Sequence, residues 1–307
     1  MVGNIYCDLI FLDLASPPVL GEERRTTQFT LAVGGGGYIT TVGLARLGVR
    51  TAVRAYVGRD LLGQFQLDSL RREKVDTSLV RRHPRLGSGL TVAFSTAGDR
   101  GFLTYPGCAL EAGRLLDDRT LAVLRRAHHV HFAGMIPPFR ARLPLLERLQ
   151  AAHVTTSLDI GWNPSRYRDP DFRQVIRRVT VFMPSWRDAQ WLTGQPIPQD
   201  AVRALGEMVP VAVIKLGAEG AIGIEDGRVA RARPPEVTPL DTTGAGDAFD
   251  AGFIWAYLRG ESLARCLLAG NICGALSTRA PGGTAAFPRL RHLLRVLREM
   301  ARREAIA

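Results

Sequence analysis

Asp241-Thr242-Thr243-Gly244-Ala245-Gly246-Asp247-Ala248-Phe249, continued by Asp250-Ala251-Gly252-Phe253, is the stretch on which the reading of this chain turns. Small residues at 244 to 246 let the backbone turn tightly and bring several N–H groups to one point. The apolar run from Ala248 to Leu258 then predicts a helix. A glycine-rich turn feeding a helix N-terminus is a ready anion site, because unpaired N–H groups and the helix dipole both favour negative charge. Asp247 lies inside that turn. A carboxylate is a poor ligand for phosphate, so its expected task is to take a proton from an attacking hydroxyl. The combination points to phosphoryl transfer to an alcohol; the bland reading is a turn capping a buried helix, with the Asp as cap.

Working outward, the pattern alternates strand and helix. Val2–Leu12 reads as one buried strand, Tyr38–Leu47 as a helix ending at Gly48, Thr51–Val57 as a strand and Leu61–Lys74 as an amphipathic helix. Strands at His129–Phe132, Thr155–Asp159, Val179–Met183 and Val211–Leu216 alternate with helices at Arg142–Ala152, Arg187–Leu192 and Asp200–Glu207. A hairpin is expected around Ala221–Ala230, and helices at Leu263–Thr278 and Pro288–Arg303 follow the anion turn. This order predicts an α/β fold of three layers, a mainly parallel central sheet with helices on both faces. Segments 11–33 and 88–106 do not fit the alternation and are expected to form a small β lid over the sheet's C-terminal edge, within a single domain spanning 1–307.

Composition narrows the classes. Hydrophobic residues make up 46% of 307 residues, ample for a large core. An uncharged apolar run long enough to span a membrane is missing, and the first residues carry Asp8 and Asp13 without a basic leader, so a cytoplasmic protein is expected. The four cysteines form no Cys-x-x-Cys pair and read as reduced, buried thiols. A net charge of +11 raises nucleic-acid binding, but the arginines are dispersed with few interleaved aromatics, and only Lys74 and Lys215 are lysines. A compositional preference for arginine accounts for the charge, and no specific nucleic-acid partner is expected. His128, His129 and His131 suggest a metal, but with no nearby carboxylate in sequence they read as buried, satisfied histidines.

The run Asp-Thr-Thr-Gly-Ala-Gly-Asp-Ala-Phe-x-Ala-Gly-Phe closely resembles the C-terminal signature of the ribokinase, or PfkB, family of carbohydrate and nucleoside kinases. Gly3-Asn4-Ile5-Tyr6-Cys7-Asp8 resembles the family's opening Gly-x-x-x-x-Asp, and Gly34 to Gly48 its first signature. The resemblance covers essentially the whole chain and implies a ribokinase-like fold. It implies Asp247 as the catalytic base and the N–H groups of Gly244, Ala245 and Gly246 as the anion hole. Asp8, Gly34, Gly35 and Gly36 would contact the acceptor, beside Ile39 and Asp247. The nucleotide would lie against Ser185, Lys215, Gly217, Gly220, Thr242, Thr243, Gly246 and Asn271, with ATP and Mg2+ as cofactors.

Departures from the family pattern bear on substrate. Ile39 stands where the family often has an Asn that bonds a sugar hydroxyl, and Gly36 where ribokinases often have a Lys. Ser185 and Asp188 replace the Asn-x-x-Glu pair tied to magnesium and phosphate; by resemblance Asp188 would reach the metal through water. Asp159-Ile160-Gly161-Trp162-Asn163 resembles the strand-end Asp-x-Asn stretch near the phosphates. A K+ site formed at Asp241 and Thr243 with the 279–286 segment is a further implication, weakened by Ala286 where a Ser is sometimes a ligand. Gly58-Arg59-Asp60-x-x-Gly63 and Val75-Asp76-Thr77 match landmarks read as structural turns. The expected activity is ATP-dependent phosphorylation of a hydroxyl on a sugar or sugar-containing molecule, with a homodimer through the lid. The alternatives are a nucleoside kinase of the same fold and a catalytically weak metabolite sensor.

Overall fold

The computed structural model describes residues 1–96, 100–113, 117–135, 138–161 and 164–304. Among them one sheet has seven strands in the order Val2–Gly3, His129–Ala133, Thr155–Asp159, Val181–Phe182, Val211–Lys215, Ala221–Glu225 and Arg228–Ala232. The first five run parallel and the last two add an antiparallel hairpin. Successive side chains of a strand face opposite sides, so a strand covered by helices on both faces must be apolar throughout. Val211–Lys215 shows this: Val211 and Val213 join one core with the Ala245–Tyr257 and Leu263–Ser277 helices, while Ala212 and Ile214 join the other. That second core is closed by the Leu143–Ala151, Pro170–Ile176, Trp186–Thr193 and Pro198–Gly206 helices.

The segment Val2–Leu12, which hydropathy presents as one strand, is two. Val2–Gly3 belongs to the large sheet, and Tyr6–Leu14 is a central strand of a separate four-stranded sheet, between Gln28–Gly34 and Gly89–Thr96, with Arg100–Tyr105 at the edge. Both halves are buried, so the apolar run is continuous although the chain changes sheet at Asn4-Ile5. The crossing brings Asp8 between the two sheets. Thr51–Val57 likewise keeps only Tyr56–Val57 as a strand. Helices at Asp118–Leu124 and Pro170–Ile176 escaped the sequence reading although each starts on a readable cap, Asp117 accepting from Thr120 N at 2.8 Å and Asp169 from Asp171 N at 2.9 Å. Residues 97–99, within the 88–106 segment expected in the lid, lie outside the described residues.

Asp60 fastens the small sheet to the core. Its carboxylate accepts from Gly63 N at 2.7 Å, capping the Leu61–Arg72 helix, and from Ser88 N at 2.8 Å and Ser88 Oγ at 2.7 Å, at the entry to the Gly89–Thr96 strand. A side chain at 63 would collide with Gly58 O, which is why the turn carries glycines. Asp60→Ala removes a cap and leaves Ser88 without its acceptor; urea denaturation should show a loss of about 1–2 kcal/mol.

Candidate active site

The C-terminal ends of the parallel strands, Ala133, Asp159 and Lys215, open beneath the small sheet, the position where α/β proteins hold ligands. The anion turn closes this end. Gly244 adopts φ +72°, and the helix Ala245–Tyr257 begins immediately after it. Besides its backbone angle, Gly244 has no room for a side chain, since a methyl group there would lie on Ile39 Cδ1 and 3.1 Å from Gly283 Cα. Asp241 fixes the approach: Oδ1 accepts from Thr243 N at 2.9 Å and Oδ2 from Gly282 N at 2.8 Å. That carboxylate joins by itself the two loops that the resemblance joins through a monovalent cation.

Asp8, Asp159 and Asp247 present carboxyl groups to the cleft. Asp247, in the first turn of the helix, borders both a cavity of about 320 Å³ shared with Asn4, Gly36, Asp159, Arg166 and the anion turn, and one of about 210 Å³. Asp8 borders the smaller cavity with Tyr6, Ile39, Thr91 and Phe102. Gly34 and Gly36 make room for these acids: a methyl group at 34 would overlap Asp8 Oδ2, and one at 36 would stand 2.5 Å from Asp247 Oδ1. Gly35, at φ +85°, caps the Gly36–Arg46 helix between them. The glycines read in the sequence as sites of close substrate approach therefore also seat the carboxylates. Ile39 is buried against Gly244 and Gly283.

Burial raises both acids. Asp8 rises to about 7 through desolvation and then the charge of Asp241; Asp247 rises to about 7 through desolvation and then the charge of Asp159, opposed by Lys215. A carboxyl poised there can exchange a proton near neutral pH.

A groove of about 570 Å³ runs from the anion turn past Lys215, Gly217 and Gly220 to Asn271, whose Nδ2 donates to Ala232 O at 2.8 Å. Thr242 and Gly246 border both this groove and the 320 Å³ cavity, so the two spaces meet at the turn. Thr243 borders the smaller cavity instead.

The Ser185–Asp188 pair is placed differently from the expectation. Asp188 is 1% exposed; Oδ2 accepts from Ser185 N at 3.0 Å and from Ser185 Oγ, Oδ1 accepts from Tyr167 OH, and Ser185 Oγ accepts from Asp188 N at 3.3 Å. The four-residue spacing that resembles a metal motif is a capping box at the start of the Trp186–Thr193 helix. Both oxygens of Asp188 thus accept hydrogen bonds from within the protein, and Ser185 does not border the 570 Å³ groove. The acids that do gather are Asp159, Asp247 and Asp250, with ligand atoms within 4.8 Å of one another, and Lys215 Nζ lies 2.8 Å from Asp159 and 3.1 Å from Asp250. Asp250 and Arg166 were missed in the sequence; Asp250 sits one helical turn after Asp247, a spacing that could have found it. Arg166 donates to Ile160 O, while its buried Nε has no hydrogen-bond partner among the described residues. Trp162 and Asn163 lie outside the described residues. His129 bonds Thr155 Oγ1 at 2.9 Å and Ser157 Oγ at 2.7 Å, and the buried His131 bonds Ser157 Oγ at 2.7 Å, but His131 Nε2 has no hydrogen-bond partner among the described residues and His128, at the bend before the strand, is exposed, so the three are not all buried and satisfied.

With this geometry in view, the chain can be compared with known proteins. Residues 1–290 match the model of the pfkB family carbohydrate kinases. The chain belongs to that family. It is 29% identical over 286 residues to the 2-dehydro-3-deoxygluconokinase of Bacillus subtilis, covering 87% of each chain. The fold matches Arabidopsis thaliana ribokinase complexed with ribose and ATP at TM-score 0.85, with 22% identity and 96% of both chains covered. An Escherichia coli protein solved in complex with ATP and Mg2+ matches at TM-score 0.80, with 21% identity and 97% of both chains covered. As a family member the protein is a carbohydrate kinase of ribokinase-like fold. No described helix is long and apolar enough to cross a membrane.

The raised carboxyl groups set a stability trade. A buried acid whose folded pKa lies above its unfolded value favours folding at low pH and loses that contribution as pH rises through the folded value. Asp8→Asn and Asp247→Asn should each raise the melting temperature at pH 8, with the gain shrinking as pH falls below about 7, where the wild-type acids bind a proton. Thermal scans across pH check this.

Proposed function

We propose that this protein transfers the γ-phosphoryl group of MgATP to a hydroxyl of a sugar or sugar-containing small molecule. The carrying observation is Asp247, which borders both the cavity at the anion turn and the smaller cavity that holds Asp8. In this reading the acceptor lies in the smaller cavity, with hydroxyls bonded to Asp8, a strong charge-assisted contact in a dry site. Asp247 takes the proton of the attacking hydroxyl as its oxygen bonds the γ-phosphorus. The bond from phosphorus to the bridging oxygen breaks, and its electron pair leaves with ADP. The N–H groups of the 244–246 turn receive the charge on the transferring oxygens. Magnesium bound to the nucleotide would neutralise charge on the phosphates, and would be held mainly by phosphate and water rather than by protein groups. The four-stranded sheet acts as the lid that excludes water, which would otherwise compete as acceptor.

The acceptor pocket is less polar than a polyol requires, with Ile39, Ile10, Ala93 and Phe102 on its walls. That favours an acceptor with an apolar part, so a nucleoside is the second reading. Arg166, lining the adjoining cavity with an unsatisfied Nε, keeps phosphosugars among the candidates. Asp247→Asn should fold and bind ATP yet lose at least about 10²-fold in turnover on the best acceptor from a panel of sugars, phosphosugars and nucleosides. Near-normal turnover in that variant would remove Asp247 from the role of base; ATP binding without turnover on any acceptor would instead favour a sensor.

The outer face of the lid supports a homodimer. Pairing register aligns Leu31, Leu9, Val92 and Leu103 in one row and Phe29, Phe11 and Phe94 in the next. Phe29 and Leu103 are 54% and 71% exposed, and a continuous apolar sheet face of this kind marks an interaction surface. Sedimentation should give a dimer, and Leu103→Glu a monomer.

A further inference from the structure

Only two of the 40 basic residues are lysines, so this chain uses arginine wherever either cation would serve. Lys74 stands in the turn after the Leu61–Arg72 helix; Lys215 ends the Val211–Lys215 strand at the active site. The slot at 215 is narrow. Its side chain is 11% exposed, with Nζ 2.8 Å from Asp159 Oδ2 and 3.1 Å from Asp250 Oδ1, and a methyl group on Gly246 would stand 3.5 Å from Nζ. A compact ammonium fits among two carboxyls and the backbone of the anion turn, whereas a planar guanidinium needs a wider, fork-shaped site.

The charges in this cluster are unequal. Burial pushes Asp250 well above the usual carboxylate range, whereas the half-buried Asp159, beside Lys215, is held below it. His131 faces Asp250 from 3.9 Å and is kept neutral by burial. Lys215 and Asp159 therefore form an oriented ion pair. Its negative member lines the 320 Å³ cavity, and its positive member lines the nucleotide groove.

We propose that Lys215 is a positioning residue of phosphoryl transfer: a fixed cation beneath Gly246, on the nucleotide side of the anion turn. The proposal rests on the kinase reading above. When the bond between the γ-phosphorus and the bridging oxygen breaks, its electron pair stays on ADP, so negative charge grows on the side where Lys215 is anchored. A charge held in place by two carboxyls needs no reorganisation as that happens.

Two lysines make the test direct. In protein labelled with [15N]lysine, the Nζ region holds two side-chain signals, assigned with Lys74→Arg. The Lys215 signal should shift on adding ADP with magnesium and aluminium fluoride, a mimic of the transferring phosphoryl group, and much less with ADP alone. An unmoved signal with the mimic bound would overturn the proposal. In kinetics, Lys215→Met should lower kcat by about 10²-fold or more while KM for ATP stays within about threefold. A raised KM with kcat retained would overturn it in favour of a simple nucleotide-edge contact. If Lys215→Met does not fold, the wild-type resonance decides alone. Failure of the wild type to phosphorylate any acceptor would count against the kinase reading, while the resonance still reports on Lys215.

Discussion

The site depends on two acids being held in a cleft poor in water, and that is possible because residues 34 and 36 have no side chains. Asp8 occupies the space a methyl group would take at Gly34, and Asp247 Oδ1 comes within 2.5 Å of such a group at Gly36. Burying carboxyls is costly unless they bind protons or meet opposite charge. Here the cost appears as raised proton affinity at both acids. The same desolvation that burdens the fold moves the titration of Asp247 up to about 7.

The surrounding architecture keeps this arrangement rigid. Asp241 binds the backbone on both sides of the turn, Gly244 packs against Ile39, and Asp60 ties the small sheet to the helix beneath it. Thr40 Oγ1 donates to Asp247 O at 3.1 Å, joining the Gly36–Arg46 helix to the one that carries Asp247. The 210 Å³ cavity thus lies between the small sheet and the anion turn, with its wall at Ile39 packed against Gly244 of that turn.

Much of this was legible in the sequence, for identifiable reasons. The 241–253 run combines a glycine turn, an acid and a helix start, each with a local cause, and the alternating strands and helices carry strong periodicity. What the sequence hid depends on three-dimensional partners. The change of sheet inside residues 2–14 leaves no trace in hydropathy, because both halves are buried. Asp188 looks like a metal-site acid until Tyr167, 21 residues earlier, is seen to close on it. Lys215 resembles part of a nucleotide-edge turn, and its pairing with Asp159 and Asp250 joins residues from separate elements. Local signals identified the glycine turn, its acid and the helix that follows; long-range contacts determined which charges surround them.

The most direct test of the account is the pH dependence of kcat/KM for the best acceptor at saturating MgATP. The account predicts an acid limb governed by a group near pH 7, matching the raised Asp247 carboxyl, with activity falling as the base gains its proton. A rate that stays level down to pH 5 would contradict it, because a buried Asp247 would then be protonated and unable to serve as the base.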